Sequence, residues 1–556
     1  MATRTSPAAR AAFKNRQEIV KARLTRRDLM KMGLLTSAGC LVAKQGLSAR
    51  ASGGTIASPR VTPFTSSLPI PPVAQPEELN PAPAADPLIG EAPRARHQAW
   101  AEHPPRRFYR IRQQLVEHPC HPELPMSTMF ACNGVVPGPT IHARYGEPIV
   151  VRFQNDLPFD FAGFGVPQTS THLHNGHTPS ESDGFPGDFF NSGYFKDHHY
   201  PNIYAGGDPR EALGTLWYHD HRLDFTSQNV YRGLAGFFLL FDEIDSGDET
   251  DPNPAALRLP SGEYDIPLMF TDRLFDEDGH LTFDLFNFDG ILGDMFLVNG
   301  AIQPYLKVAR RKYRFRLLDG GPSRFYQYFL SSGQPFTLIA NDGNLLPAPI
   351  EVQSVRLAVA ERCDVIIDFS RCNIGDQIYL ENRLEQEDGR GPTGDLLTPG
   401  TPLLRFDVDA DAPDPSRVPD VLRPLPVFNP GEAVTTRTWR FERTNGAWAI
   451  NGRFFDLDRP QATPRRGTAE IWNLRNSSGG WSHPIHIHFE EFRILSRNGR
   501  KPSPAEAGRK DVVRLGPNDE VQIFMRFRDF LGRHPMHCHN TLHEDHAMML
   551  RWDIVP

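Results

Sequence analysis

Close to its C-terminus the chain reads His537-Cys538-His539, then His543, then Met548. A thiolate, an imidazole and a thioether this close together form most of a blue-copper donor set. One more histidine completes it, with Met as the weak axial ligand. The flanking histidines add a second demand. Side chains alternate between the two faces of a strand, so an extended run sends Cys538 one way and both histidines the other. A metal on Cys538 then has a short covalent path, through two peptide units, to a second metal centre behind it.

Three further clusters supply what the tail lacks: His172-Leu173-His174, His219-Asp220-His221 after Trp217-Tyr218, and His483-Pro484-Ile485-His486-Ile487-His488. Each H-x-H pair puts two imidazoles on one strand face, as ligands of adjoining metals require. In the third cluster His486 and His488 share a face, and His483 lies an odd number of residues away. His483 is therefore the fourth ligand of the blue site, opposite the H-x-H pair as Cys538 is opposite His537 and His539. A lone H-x-H is commonly a surface pair, and an isolated Cys is commonly a small buried hydrophobe. The matching parity of four clusters is what points to a metal system.

These motifs, in this order, resemble those of the multicopper oxidases, and within them the bacterial spore-coat laccase and bilirubin oxidase group. Supporting stretches are Asn133-Gly134 with Pro137-Gly138-Pro139-Thr140, Thr178-Pro179 with Ser182-Asp183-Gly184, Leu297-Val298-Asn299-Gly300, and His543-Glu544-Asp545. The resemblance runs from about residue 62 to the C-terminus. It implies four coppers. The type 1 copper takes His483, Cys538, His543 and Met548; the type 2 takes His172 and His486. The type 3 pair takes His174, His219, His221, His488, His537 and His539. It also implies proton delivery by Asp183 and Glu544, against the plainer readings of a turn Asp and a solvated Glu. His543 is the ligand nearest the reducing substrate. His177, His198, His199, His534 and His546 read as structural or as neighbours of ligands, and Trp217 as packing under them. Asn175 stands where similar proteins often have Gly.

The implied activity is one-electron oxidation of phenolic or aromatic amine substrates, coupled to four-electron reduction of dioxygen to water. An axial Met548 sets a moderate potential, which suits easily oxidised donors. Oxidation of Mn(II), Cu(I) or Fe(II), or of bilirubin, are the alternatives. The chain has 11 Met and no Met-rich cluster, which counts against Cu(I). A copper-free scaffold of the same fold is the non-enzyme alternative, and the complete ligand set argues against it.

The 556 residues allow three or four domains at roughly 150 residues each. Short apolar runs recur between Gly, Pro, Asn and Asp turns from about residue 106, the pattern of all-β sandwiches or barrels. With the resemblance this predicts three cupredoxin-like Greek-key β-barrels over 106–245, 246–425 and 426–556. The middle one contains a single histidine, His280, and so no copper of its own. Residues 52–105 are rich in Pro and Ala and read as an extended arm that wraps a surface or stays mobile.

A net charge of −7 gives no sign of nucleic acid. Arg310-Arg311-Lys312 leads into alternating Tyr313, Phe315 and Leu317, a strand with one solvated face. Residues 1–51 look like a twin-arginine export signal: Thr25-Arg26-Arg27-Asp28-Leu29-Met30-Lys31 precedes an apolar stretch from Met32 to Ala43. That stretch falls short of the roughly 20 residues needed to span a bilayer. A periplasmic or extracellular protein, exported by the twin-arginine machinery, is expected, and a monomer. Cys40 leaves with the signal, and its faint lipoprotein pattern lacks the usual Leu. Cys120 and Cys132 are a candidate disulfide across a loop. Cys363 and Cys372 end an extended run too long to bridge and read as unpaired.

Overall fold

The structure is a computed structural model that describes residues 57–556; the export-signal reading of residues 1–51, with Cys40, lies outside the described residues. Strands form where apolar and polar residues alternate. In Lys312–Asp319 the residues Tyr313, Phe315 and Leu317 enter one core with Val365 and Ile367 of the neighbouring strand Arg362–Asp368. Each large apolar side chain fully buried this way contributes about 1.5–3 kcal/mol, so packing rather than surface charge fixes which face turns inward.

Besides a two-stranded ribbon that pairs Gln168–Thr169 with Phe190–Asn191, three pairs of larger sheets follow one another along the chain. Each opens on the same local plan. A long strand pairs antiparallel with a hairpin partner and parallel with a later strand. Arg107–His118 does this with Ser127–Cys132 and Ile149–Asn155. Asp265–Phe275 does it with Met295–Val298 and Lys312–Asp319. Ala433–Thr444 does it with Ala447–Ile450 and Thr468–Asn476. This is the all-β architecture that the sequence predicts. The only α-helices among the described residues are two short ones, Thr226–Tyr231 and Thr541–Asp545. No helix among them is long and apolar enough to cross a membrane.

The arm wraps rather than dangles. Ser67 bridges Tyr305, Val73 bridges Thr140 and Glu91 bridges Phe195. Leu68 sits in the core of the second sheet pair, Ala92 in that of the first and Ala99 in that of the third.

Two expectations fail. Arg314 and Arg316 are not solvated: they are 1% and 0% exposed. The first sheet pair covers their face, where Arg314 pairs with Asp245 and Asp364, and Arg316 with Asp265 and the Thr215 hydroxyl. Cys120 and Cys132 are both free thiols. Cys132 points into the first core beside Phe130, and Cys120 joins Met129 in a separate cluster. Met129 and Phe130 are consecutive strand residues, so the two cysteines lie on opposite sides of that strand. Cys363 and Cys372 are free, as expected.

Candidate metal centres

Half of the site hangs on one strand pair. His483–Ile487 lies antiparallel to Gly532–Cys538, with Ile485 opposite Cys538 and His486 opposite His537. The other half comes from the first sheet pair. There Thr171–His174 lies antiparallel to Thr215–Asp220, with His172 opposite His219, and His221 follows just beyond the strand end.

On one face, Cys538 Sγ lies 3.5 Å from Nδ1 of both His483 and His543, and those two nitrogens are 3.1 Å apart. His543 belongs to the helix Thr541–Asp545, which the Asn540 side chain caps. Met548 is fully buried in the same core as Cys538. Its carbonyl accepts from Cys538 N–H at 3.0 Å and its N–H donates to the His543 carbonyl at 2.9 Å.

On the other face the Nε2 atoms of His221, His488 and His537 converge to 3.1–3.2 Å of one another. His172 and His486 bring theirs to 3.4 Å. His174, His219 and His539 close a third group, with ring centroids 5.1–5.7 Å apart. The structure thus places every histidine named as a ligand from the sequence, and Cys538, in one of two sets on opposite sides of the Cys538 strand, and buries Met548 in the same core as Cys538.

The outer nitrogens of four of these histidines are held by oxygens, which aims the inner ones at the centre. His486 Nδ1 donates to the Asp511 carbonyl and His219 Nδ1 to that of Asp220. His488 Nδ1 donates to Asp183 Oδ2 at 2.9 Å, and His172 Nδ1 donates to the Asp183 carbonyl. Asp183 therefore ties together two of the three groups. Glu544 is buried, not solvated. Its Oε1 lies 3.2 Å from His221 Nδ1 and its Oε2 3.1 Å from His537 Nδ1, close approaches without hydrogen-bond alignment.

The donor chemistry fits copper. Both ring nitrogens of His174 and His539, and Nε2 of His219, are buried without a hydrogen-bond partner. Each such atom costs about 1–3 kcal/mol, and so many at one point need a metal to satisfy them. Burial pushes the imidazoles of His174, His219, His221, His486, His488, His539 and His543 well below 6.5, and that of His483 to about 3. They are neutral, as ligands must be. Burial also pushes the Cys538 thiol up, so metal binding there displaces a proton.

His177, His198, His199 and His546 hold Asp529 or main-chain carbonyls instead, and His534 lies 3.4 Å from Asp183. The Trp217 ring packs on His219, His174 and His539, as expected. Asn175 adopts φ 67° and donates to Glu491 at 2.8 Å. Sequence reasoning missed four contributors. Asp511 approaches His174 Nε2 at 3.5 Å, and Ser478 Oγ meets His483 Nε2 at 2.8 Å. The Asp289 carbonyl accepts from His543 Nε2 at 2.9 Å, and the Trp448 ring lies 4.0 Å from that of His543. Asp289 comes from the middle sheet pair, which therefore walls the first set as well as spacing its neighbours.

Two family models described as multicopper oxidase match residues 115–244 and 428–556. The chain is 37% identical over 508 residues to a bilirubin oxidase of Albifimbria verrucaria, covering 88% of this chain and 81% of that protein. It is 34% identical over 508 residues to a laccase of Bacillus subtilis (strain 168), covering 80% and 94%. A multicopper oxidase structure from Pediococcus acidilactici shares the fold at a TM-score of 0.74 and 24% identity, covering 91% of this chain and 95% of that one. Kinship along most of its length and a donor set suited to copper lead to one conclusion: the chain belongs to the multicopper oxidases, copper-dependent oxidoreductases that use oxygen as acceptor.

Proposed function

We propose that this chain is a laccase-like oxidase that takes single electrons from phenolic or aromatic amine substrates. One observation supports the reading: two clusters of buried histidines, one of them with Cys538, lie back to back across a single strand. His483, Cys538, His543 and Met548 would hold a type 1 copper, His172 and His486 a type 2 copper. His174, His219, His221, His488, His537 and His539 would hold a type 3 pair. Bound there, copper supplies one-electron uptake at the first set and four-electron reduction of dioxygen to water at the second.

The chain's own residues do the rest. The backbone from His537 to His539 fixes the separation of the two sets. Burial of every ligand excludes bulk water from both. Glu544, against the outer nitrogens of His221 and His537, and Asp183, against that of His488, are the acids placed to relay protons for water formation. His543 is the ligand nearest the substrate, and the Asp289 main chain and the Trp448 ring form its outer wall.

An oxygen-uptake screen of the copper-loaded protein with a dimethoxyphenol, bilirubin, Cu(I) and Mn(II) tests this. Four coppers per chain and fastest uptake with the phenol are expected. One copper or none, or a preference for Mn(II), overturns it. The 37% identity to a bilirubin oxidase favours bilirubin as the second candidate, and the same screen decides.

We also propose three cupredoxin domains divided near residues 245 and 425, and export in folded form through the twin-arginine route. Changing Arg26 and Arg27 together to Lys should remove the blue protein from the periplasmic fraction. Undiminished export would rule that route out.

A further inference from the structure

A largely enclosed cavity lies between the first and second sheet pairs, and none of its lining residues belongs to either ligand set. Met129, Val136, Val230, Met269 and Leu297 are among its apolar lining residues, Thr271 also lines it, and Arg273 is its only charged lining residue. Arg273 is 4% exposed. Its Nη1 donates to the Asp272 carbonyl at 3.0 Å, and its guanidinium stacks 4.2 Å from the centre of the Tyr231 ring. Its Nε is buried with no partner. Among the described residues no carboxylate lies within ion-pair distance of it. The adjacent Asp272 turns to the opposite face of the strand, where its Oδ2 pairs with Arg324 at 2.8 Å and accepts from Gly293 N–H at 2.6 Å.

A guanidinium stays charged in proteins, and a buried charge left unpaired is costly. A mostly apolar recess with few polar groups, at a junction between packed units, is the usual form of a ligand site. The room suits about one or two water-sized guests, which excludes organic acids of any length. A single positive charge calls for a monovalent partner. Walls of Met, Val and Leu favour an ion that gives up its hydration readily.

We propose that this cavity binds a small monovalent inorganic anion of chloride size, held by Arg273. The ion would neutralise the guanidinium at the seam between the two sheet pairs.

Bromide is the probe in crystals of the copper-loaded protein. An anomalous-scattering peak beside the Arg273 guanidinium is expected. No peak there, or only an ordered water, overturns the proposal. In solution, chloride should raise Tm in a saturable way by about 1–3 °C over gluconate at equal ionic strength. Arg273→Met should abolish that difference, and an unchanged response in this variant would refute the site. If Arg273→Met does not fold, Arg273→Lys replaces it, with weaker saturation by chloride expected and an unaltered midpoint counting against Arg273. Copper content and blue absorbance should be unaffected in every folded variant.

Discussion

Glu544 touches two imidazoles of one ligand group at once, so its charge and its proton act on both. Glu544→Gln keeps the shape and removes the ionisable proton. Dioxygen reduction should slow by about 10–100-fold while the blue absorbance stays intact, because no ligand of the Cys538 set is altered. Reoxidation of the reduced enzyme, followed by stopped flow, measures this; an unchanged rate removes Glu544 from proton delivery. Cys538→Ser should instead abolish the blue colour, and a variant that stayed blue would refute the thiolate assignment. The ligands were legible because metal-binding spacing is local: each H-x-H pair and the Cys538 run are complete within a few residues. Asp289 and Asp511 were not. Asp289 meets His543 across 254 positions of sequence and Asp511 meets His486 across 25, and both do so through main-chain carbonyls, which any residue carries.

At the scale of the element, the strand Lys312–Asp319 shows where pattern reading stops. Its period of two identified a strand and the inward face correctly. It carried no information about what covers the other face, because a buried, paired arginine and a solvated one look alike in sequence. Burial opposes ionisation of Asp245, yet the Arg314 and Arg316 guanidiniums hold its carboxyl below the ordinary 3.8. A depressed folded pKa means that the unfolded chain binds more protons in this range. The contribution of Asp245 is therefore complete above about pH 4 and is lost as pH falls through the folded value. Asp245→Asn should cost about 3 kcal/mol at pH 7 and flatten the acid limb of the stability curve. Denaturant melts of both proteins from pH 7 down to about pH 3 decide it; parallel curves would show that Asp245 is not part of that limb.

The whole molecule is strapped by its arm, which visits the second, first and third cores in turn. Composition marked the arm as extended, but only the tertiary contacts of Leu68, Ala92 and Ala99 show that it is structural. Leu68→Ala should lower stability by about 2–3 kcal/mol and leave copper content unchanged, since Leu68 packs far from both ligand sets in the second core. A calorimetric scan with copper analysis tests both halves, and loss of copper at full stability would contradict the assignment. The strand pair at the heart of the molecule carries a further consequence. Ile485 faces Cys538 and His486 faces His537, so a slip of one residue between these strands would turn the ligands of the slipped strand to the wrong side. A misaligned sheet would offer thiolate where the imidazoles of His537 and His539 are needed, and those imidazoles where thiolate is needed. Neither face could then fill. Copper thus acts as an inspector of strand alignment: a fully loaded molecule is one whose two halves were zipped in the right order.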